Sequence, residues 1–244
     1  MNLVIDIGNT FSKYYCFDGD EMICHGRQVG HDLSFIPLTT VPEAAIVSSV
    51  VTLPAPAEAW LDALPCPVIR FSSATSIPIR NAYRTPDTLG PDRLAAAIGA
   101  WSQCPGFPLL IIDAGSCITF DFVTAEGEYV GGNISPGLHA RLKAIDYYFP
   151  RLPLVEAEGA TPELGYNTET AIRSGVIQGL KHEIEGYIAH FKAKYPQLLV
   201  FLTGGDEINF EDTIKSGTFA DQFLVPRGLN TVLRHQMTPS TTQK

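Results

Sequence analysis

The chain has 244 residues, of which 45% are hydrophobic and 18% are charged. This composition is typical of a globular protein and excludes a disordered, collagen-like or coiled-coil chain. The formal charge is −9, and no basic run could follow a nucleic-acid backbone, so nucleic acid is not expected as a partner.

The first half of the chain opens with predicted strands separated by turns. LVIDIGN at 3–9 is an apolar strand followed by a tight turn, and KYYCF is a second β-rich run that ends in an Asp-Gly-Asp turn. An apolar β-branched run at 44–51, a short helix at 57–64 and the strand PVIRFS follow. The order of elements is typical of a sheet covered by helices.

The second half repeats this opening. Residues 110–116 read LIIDAGS, which aligns Asp113 with Asp6 and Gly115 with Gly8 at an offset of 107 positions. A chance match between two buried strands would explain the motif alone, but CITFDFV and a turn at 125–128 follow in the same order. The repeat predicts two α/β domains at 1–106 and 107–244.

Two helices and two further strands are predicted after the repeat. The helices cover 136–148 and about 168–195, the second with Asn167 or Thr168 as N-cap and Pro196 after its end. The strand LLVFLTGG at 198–205, a helical stretch, the strand QFLV and a helix from Gly228 complete the chain. The long helix contains Gly175, Gly179 and Gly186, which favours close helix packing because each Gly costs up to about 1 kcal/mol relative to Ala.

The cysteines and the N-terminus indicate the cellular compartment of the protein. Five cysteines without a C-x-x-C pair predict reduced thiols and no disulfide framework. MNLVIDIGNT lacks the regions of a signal peptide, and no apolar run approaches the roughly 20 residues that span a bilayer. We therefore expect a soluble cytoplasmic protein that has no membrane partner.

Three glycine turns follow predicted strands. A carboxylate beside Gly at a strand end lets backbone N–H groups and a metal approach a phosphate. Each turn alone also fits an ordinary hairpin or a strand-to-helix connection, but the three together favour a nucleotide cleft between the two domains. P-loop, dinucleotide-fold, protein-kinase, hydrolase and H-E-x-x-H motifs are absent from the sequence. The turns carry Asp6, Ile7, Gly8, Asn9 and Thr10 with Lys13 nearby, then Asp113 and Ser116, then Gly204, Gly205 and Asp206.

A loop at 81–93 leads into the predicted helix LAAAIGAW. Asp92 and Arg93 occupy its first turn, behind Gly90 and Pro91. Asp92 could merely complement the helix dipole, and Arg93 could pair on the surface. The functional interpretation is a carboxylate general base beside a guanidinium that binds an acid substrate.

Five motifs in this order resemble those of type III pantothenate kinases, from residue 6 to residue 228. They are D-x-G-N-T at 6–10, G-x-D-R at 90–93, D-x-G-[ST] at 113–116, G-G-x-I-x-P-G at 131–137 and T-G-G-D at 203–206. The resemblance implies two duplicated actin-like, ribonuclease H-like domains of the acetate and sugar kinase, heat-shock chaperone and actin superfamily. It also implies a homodimer that phosphorylates pantothenate with ATP in the first step of coenzyme A biosynthesis.

The resemblance also implies a role for each matching residue. Asp6 would face the ATP phosphates through Mg²⁺, and Asp113 would bind a monovalent cation, K⁺ or ammonium. Asp92 matches the proton acceptor, and Thr168 matches a substrate contact supplied by the partner subunit. ATP would meet Ile7, Gly8, Asn9, Thr10, Lys13, Ser116, Gly204 and Gly205, and pantothenate would meet Tyr83, Gly90, Pro91, Asp92 and Arg93.

Two departures and two alternatives accompany this resemblance. Ser116-Cys117 stands where the family often has Thr-Ala, and Asn167 precedes Thr168 where Ser is usual. An ATP-binding regulator of the same fold is one alternative, although the presence of both Asp92 and Arg93 argues against it. A kinase of another small hydroxy acid is the second, because Arg93 predicts an anionic substrate without specifying its length.

Overall fold

The structure is a computed structural model that describes residues 1–205 and 217–238. Its strands are β1 (Asn2–Ile7), β2 (Phe11–Asp18), β3 (Glu21–Val29), β4 (Ala44–Ser49), β5 (Val68–Arg70), β6 (Arg80–Asn81), β7 (Leu109–Ala114), β8 (Cys117–Val123), β9 (Glu128–Pro136), β10 (Leu199–Gly204) and β11 (Thr218–Ala220). Its helices are α1 (Ala55–Asp62), α2 (Pro91–Gln103), α3 (Leu138–Tyr148), α4 (Thr168–Lys194) and α5 (Leu224–Met237), with a 3-10 turn at Pro86–Thr88.

The described residues form two compact units. Unit 1 contains Met1–Gly106, Glu126–Val130 and the described residues from Phe223 onward. Its sheet has the order β3-β2-β1-β4-β5, in which β1 is antiparallel to β2 and parallel to β4. Because side chains alternate along a strand, Leu3, Ile5 and Ile7 of β1 enter a core with α1, and Asp6 lies on the opposite face.

Helices α2 and α5 pack with their backbones in direct contact inside unit 1. A Cβ atom on Gly99 of α2 would lie 2.2 Å from the Leu224 carbonyl oxygen, and one on Gly228 of α5 would lie 1.8 Å from that of Ala95. Only glycine allows so close an approach. The contact anchors α2, whose first turn carries the predicted site residues Asp92 and Arg93.

Unit 2 contains Phe107–Ala125 and the described part of Gly131–Gln222. Its strands have the order β9-β8-β7-β10-β11, the same succession as in unit 1, and β7 is likewise antiparallel to β8 and parallel to β10. Strands β7 and β9 begin and end 107 positions after β1 and β3. The duplicated α/β fold predicted from the repeat is therefore confirmed.

The long helix α4 has 27 residues and starts at the predicted position. Its buried side packs on the unit 2 sheet through residues such as Leu180 and Ile184. A Cβ atom on Gly175, Gly179 or Gly186 would meet no heavy atom within 4 Å. The predicted close packing at these glycines is thus not made within the described part of this chain.

One prediction about local structure was wrong. The run QFLV at 222–225 is not a strand: β11 ends at Ala220 and α5 begins at Leu224. Pro226 fits the first turn of a helix, where its missing N–H group has no helical acceptor. Cys16 and Cys24 face each other across β2 and β3, with their Cα atoms 5.0 Å apart.

Two further predictions concern other parts of the chain. The helical stretch predicted after strand 198–205 lies outside the described residues, as does Asp206. Among the residues that the structure describes, no helix combines the length and the apolar character needed to cross a membrane.

Candidate active site

The first glycine turn joins β1 to β2 and exposes polar side chains. The Gly8 N–H group donates to the Phe11 carbonyl oxygen at 2.9 Å and closes the turn. The Gly30 N–H group donates to the Thr10 carbonyl oxygen at 2.9 Å and fixes its far side. Asn9 and Thr10 are exposed, so their donor groups are available to a ligand.

Asp6 is a desolvated carboxylate at the end of β1. Its side chain is 17% exposed, and the Lys13 Nζ atom lies 3.9 Å from its Oδ2 atom. Burial raises the pKa of Asp6 to about 6, against an opposing effect of Lys13, and the charge of Asp92 raises it further. A desolvated carboxylate is stabilised in its ionised form when a cation binds beside it, because the cation compensates for the lost hydration.

Asp92 is held at the start of α2 by its local sequence. Pro91 is the first helical residue, and the Arg93 N–H group donates to the Asp92 Oδ1 atom at 2.9 Å. A Cβ atom on Gly90 would lie only 2.6 Å from that Oδ1 atom. Gly90 therefore leaves room for the carboxylate, and the electrostatic effect of Asp92 on Asp6 places both carboxylates in one region of unit 1.

Arg93 is buried beside the Tyr83 ring. It is 7% exposed, and its guanidinium carbon lies 5.9 Å from the centroid of the Tyr83 ring. The Tyr83 ring lies 6.2 Å from that of Tyr129, which is fully buried. The surface interpretation of Arg93 is thus wrong, because its side chain is buried and its guanidinium lies over the Tyr83 ring.

Tyr129 was not identified from the sequence. It belongs to the segment Glu126–Val130, which joins unit 1, where Asn81 of β6 pairs with Tyr129 of β9. No local motif marks this residue. Only the pairing of the short strand β6 with the start of β9 places its ring behind Tyr83.

The second and third glycine turns lie in unit 2 and pack on each other. The Gly115 N–H group donates to the Cys117 carbonyl oxygen at 3.0 Å and leaves Ser116 exposed. Gly204 has φ +112°, and a Cβ atom there would lie 2.1 Å from the Ala114 carbonyl oxygen. Gly204 is required for this approach, while Gly205 has open space around it.

Asp113 and Thr168 occupy different elements of unit 2. Asp113 lies on β7, in register with Thr119 of β8 and Thr203 of β10. Thr168 is the exposed first residue of α4, and the Asn167 Oδ1 atom accepts a hydrogen bond from the Thr170 N–H group at 2.8 Å. Asn167 therefore caps the start of α4.

The structure thus brings Asp6, Lys13 and Asp92 together in unit 1. Arg93, on the first turn of α2, and Tyr83, on the loop before this helix, lie in the same unit. The other predicted site residues are placed within unit 2. Two carboxylates, an ammonium group and an exposed donor turn can bind a metal-bound phosphate and position a hydroxyl group next to it.

Comparisons with known proteins give one consistent result. The family model for "Type III pantothenate kinase" matches residues 2–190. A type III pantothenate kinase from Bacteroides fragilis (strain YCH46) is 50% identical over 238 residues, which cover 96% of this chain and 98% of that protein.

Solved structures show the same fold. A Campylobacter jejuni protein described as a Baf family transcriptional activator has a TM-score of 0.62 at 20% identity, covering 96% of this chain and 98% of that one. A Listeria monocytogenes protein described as an N-acetylmannosamine kinase has a TM-score of 0.56 at 14% identity, covering 96% and 99%. The fold is thus that of actin-like ATPases and sugar kinases, and the chain belongs to the type III pantothenate kinase family.

Proposed function

We infer that the chain transfers the γ-phosphoryl group of ATP to pantothenate and forms 4'-phosphopantothenate, the first step of coenzyme A biosynthesis. The observation that carries this inference is the desolvated Asp6 carboxylate, which lies 3.9 Å from the Lys13 ammonium group and whose pKa the charge of Asp92 raises. An ATP-binding regulator would need the phosphate turns, but it would not need a second carboxylate beside them.

Asp92 acts on the acceptor hydroxyl group in this proposal. Phosphoryl transfer passes through a loose transition state, so positioning and charge neutralisation contribute more than proton removal. Asp92 accepts a hydrogen bond from the primary hydroxyl group of pantothenate and takes its proton late. The fixed start of α2 and the space left by Gly90 support this role, because both hold the carboxylate in one place.

The nucleotide meets the exposed glycine turns. Asn9, Thr10 and Lys13 line one phosphate loop, with Ile7 and Gly8 in its backbone, and Ser116, Gly204 and Gly205 contact ATP from unit 2. The desolvated Asp6 carboxylate fits Mg²⁺, which prefers oxygen ligands and usually binds through one or two carboxylates and the substrate phosphates. When bound with ATP, Mg²⁺ neutralises the charge that develops on the phosphates.

Pantothenate binds through its carboxylate to Arg93. The planar guanidinium suits bidentate binding, and its position over Tyr83 keeps it oriented. Gly90 and Pro91 complete the substrate-binding segment, and Thr168 contacts the substrate from a partner subunit. The exposure of Thr168 at the start of α4 is compatible with such a contact.

The proposed role of Thr168 requires a homodimer, because this residue contacts the substrate that is bound to the partner subunit. Unit 2 exposes large apolar side chains that a second copy could cover, among them Tyr147, Leu164 and Tyr166. Gly175, Gly179 and Gly186 of α4 are exposed with open space around them, which would let another backbone approach. We also propose a monovalent cation at Asp113, a cytoplasmic location, and duplicated domains at 1–106 and 107–244, the second of which contributes α5 and the segment Glu126–Val130 to unit 1.

The dimer can be tested at the glycines of α4. Gly179→Leu should shift the protein toward the monomer in sedimentation velocity, because the larger side chain fills the space that a partner helix would occupy. Glu185→Leu adds a similar side chain at an exposed position on another side of α4 and serves as control. A Gly179→Leu protein that remains dimeric would place the interface elsewhere.

The function is tested by ADP release with Mg-ATP and pantothenate in K⁺ and in Na⁺ buffer, with the product identified by mass. Asp92→Asn should lower kcat by about 10²- to 10⁴-fold with little change in KM. Asp18→Asn removes an exposed carboxylate of unit 1 and should leave both constants unchanged. ATP binding without phosphopantothenate in either buffer would refute the kinase assignment and favour the regulator.

A further inference from the structure

The two units place different groups opposite their equivalent aspartates. In unit 1, Asp6 is in register with Lys13 of β2, and their charged atoms lie 3.9 Å apart. In unit 2, Asp113 is in register with Thr119 of β8. Directly opposed residues of antiparallel strands project to the same face, so Thr119 occupies the position of Lys13 in the duplicated fold.

Thr119 is an unusual residue at this position because its hydroxyl group has no partner. Its Oγ1 atom is buried and makes no hydrogen bond within the described residues. A buried polar group without a partner is unfavourable and calls for a ligand or another explanation. Thr203 lies in register on the other side of Asp113, so a second hydroxyl group flanks the same carboxylate.

We propose that Thr119 is a ligand of the monovalent cation at Asp113, and that this cation takes the place that the Lys13 ammonium group takes beside Asp6. The inference rests on the proposed cation site and adds its second ligand. Uncharged oxygen atoms coordinate K⁺ in proteins, so a hydroxyl group next to a carboxylate is a suitable donor pair. Unit 1 thus has the ammonium group of Lys13 beside its aspartate, whereas unit 2 binds a monovalent cation from solution at the equivalent position.

Three substitutions of Thr119 test this assignment. Thr119→Val removes the hydroxyl group at nearly constant volume, and because that group has no hydrogen bond the fold should tolerate the change. Thr119→Ser keeps the hydroxyl group and is the matched control. Thr119→Lys supplies a fixed ammonium group, as Lys13 does in unit 1.

The readout is the melting temperature with a non-hydrolysable Mg-ATP analogue while KCl replaces choline chloride at constant ionic strength. The K⁺ concentration that produces half of the rise in melting temperature should increase about tenfold or more in Thr119→Val. In Thr119→Ser it should stay within about twofold of the wild-type value. Thr119→Lys should show no K⁺ response and should phosphorylate pantothenate equally with and without K⁺. If Thr119→Lys does not fold, the Val and Ser variants decide the question.

The outcomes separate this inference from the proposed function. An unchanged K⁺ response in Thr119→Val would overturn the assignment of Thr119. A wild-type protein that phosphorylates pantothenate but shows no K⁺ response would refute the cation site and leave the kinase assignment intact. A K⁺ response that depends on Thr119 in a protein without kinase activity would support the site and refute the proposed reaction.

Discussion

Replacing Asp6 by Asn should stabilise the protein that has no nucleotide bound. Burial raises the pKa of Asp6 from its usual 3.8 to about 6, so the folded state holds this proton more tightly than the unfolded state. The free energy of unfolding therefore falls as the pH rises from about 4 through about 6 and stays low above that range.

The size of this effect follows from the pKa difference. A difference of one in pKa corresponds to about 1.4 kcal/mol, so the ionised carboxylate costs unit 1 up to about 3 kcal/mol. Solvent reaches part of the side chain, and we therefore expect about 1–3 kcal/mol. Asn has nearly the same shape and no charge, so Asp6→Asn should recover this amount at about pH 8. Loss of the partner of Lys13, which is 41% exposed, should cost little.

The assay is urea unfolding followed by tryptophan fluorescence. The only two tryptophans of the chain, Trp60 and Trp101, both lie in unit 1, so the signal reports on the unit that contains Asp6. The stability gain of Asp6→Asn should be small at about pH 4 and full at about pH 8. Asp18→Asn, at an exposed carboxylate of unit 1, is the control and should show no such difference.

The same variant separates stability from function. Asp6→Asn should bind Mg-ATP much more weakly in calorimetry, because the carboxylate that faces the metal is gone. Equal stability of wild type and Asp6→Asn at about pH 8 would refute the reasoning, since burial would then not disfavour the ionised form.

Two other predictions follow from the packing of unit 1. Arg93→Lys should raise KM for pantothenate about tenfold with a smaller effect on kcat, because Lys cannot form the bidentate contact that the guanidinium over Tyr83 provides; an unchanged KM in steady-state kinetics would place the substrate carboxylate elsewhere. Gly228→Ala should lower the free energy of unfolding by about 2–3 kcal/mol, because its Cβ atom would lie 1.8 Å from the Ala95 carbonyl oxygen. The exposed His235→Ala control should change it by less than about 0.5 kcal/mol in the same urea experiment.

The duplicated fold could be predicted because its signal is local. Each copy begins with an apolar strand that ends in Asp-x-Gly, and the following turns have typical composition. The start of α5 could not be predicted in this way. QFLV is apolar and short, and such a run fits either a strand or the first turn of a helix until tertiary packing decides.

The sequence predicts which turns and helix starts carry the candidate site residues, but not which side chains meet across neighbouring strands. Gly90, Pro91, Asp92 and Arg93 form one segment, and the structure places them on one helix start. Thr119 could not be found, because the repeat offset of 107 aligns Lys13 with Phe120 and only the strand register pairs Asp113 with Thr119. A one-residue difference in turn length changes which side chain meets the carboxylate.

The packing of α5 on α2 has a consequence for synthesis of the protein. The Asn230 amide donates to the Gly19 carbonyl oxygen at 2.9 Å, so α5 is also tied to the turn that follows β2. Until α5 has left the ribosome, α2 lacks the backbone contact that Gly99 and Gly228 make. We expect the nascent chain to remain inactive until α5 docks, because this helix contacts both α2 and the turn after β2 and is translated after both.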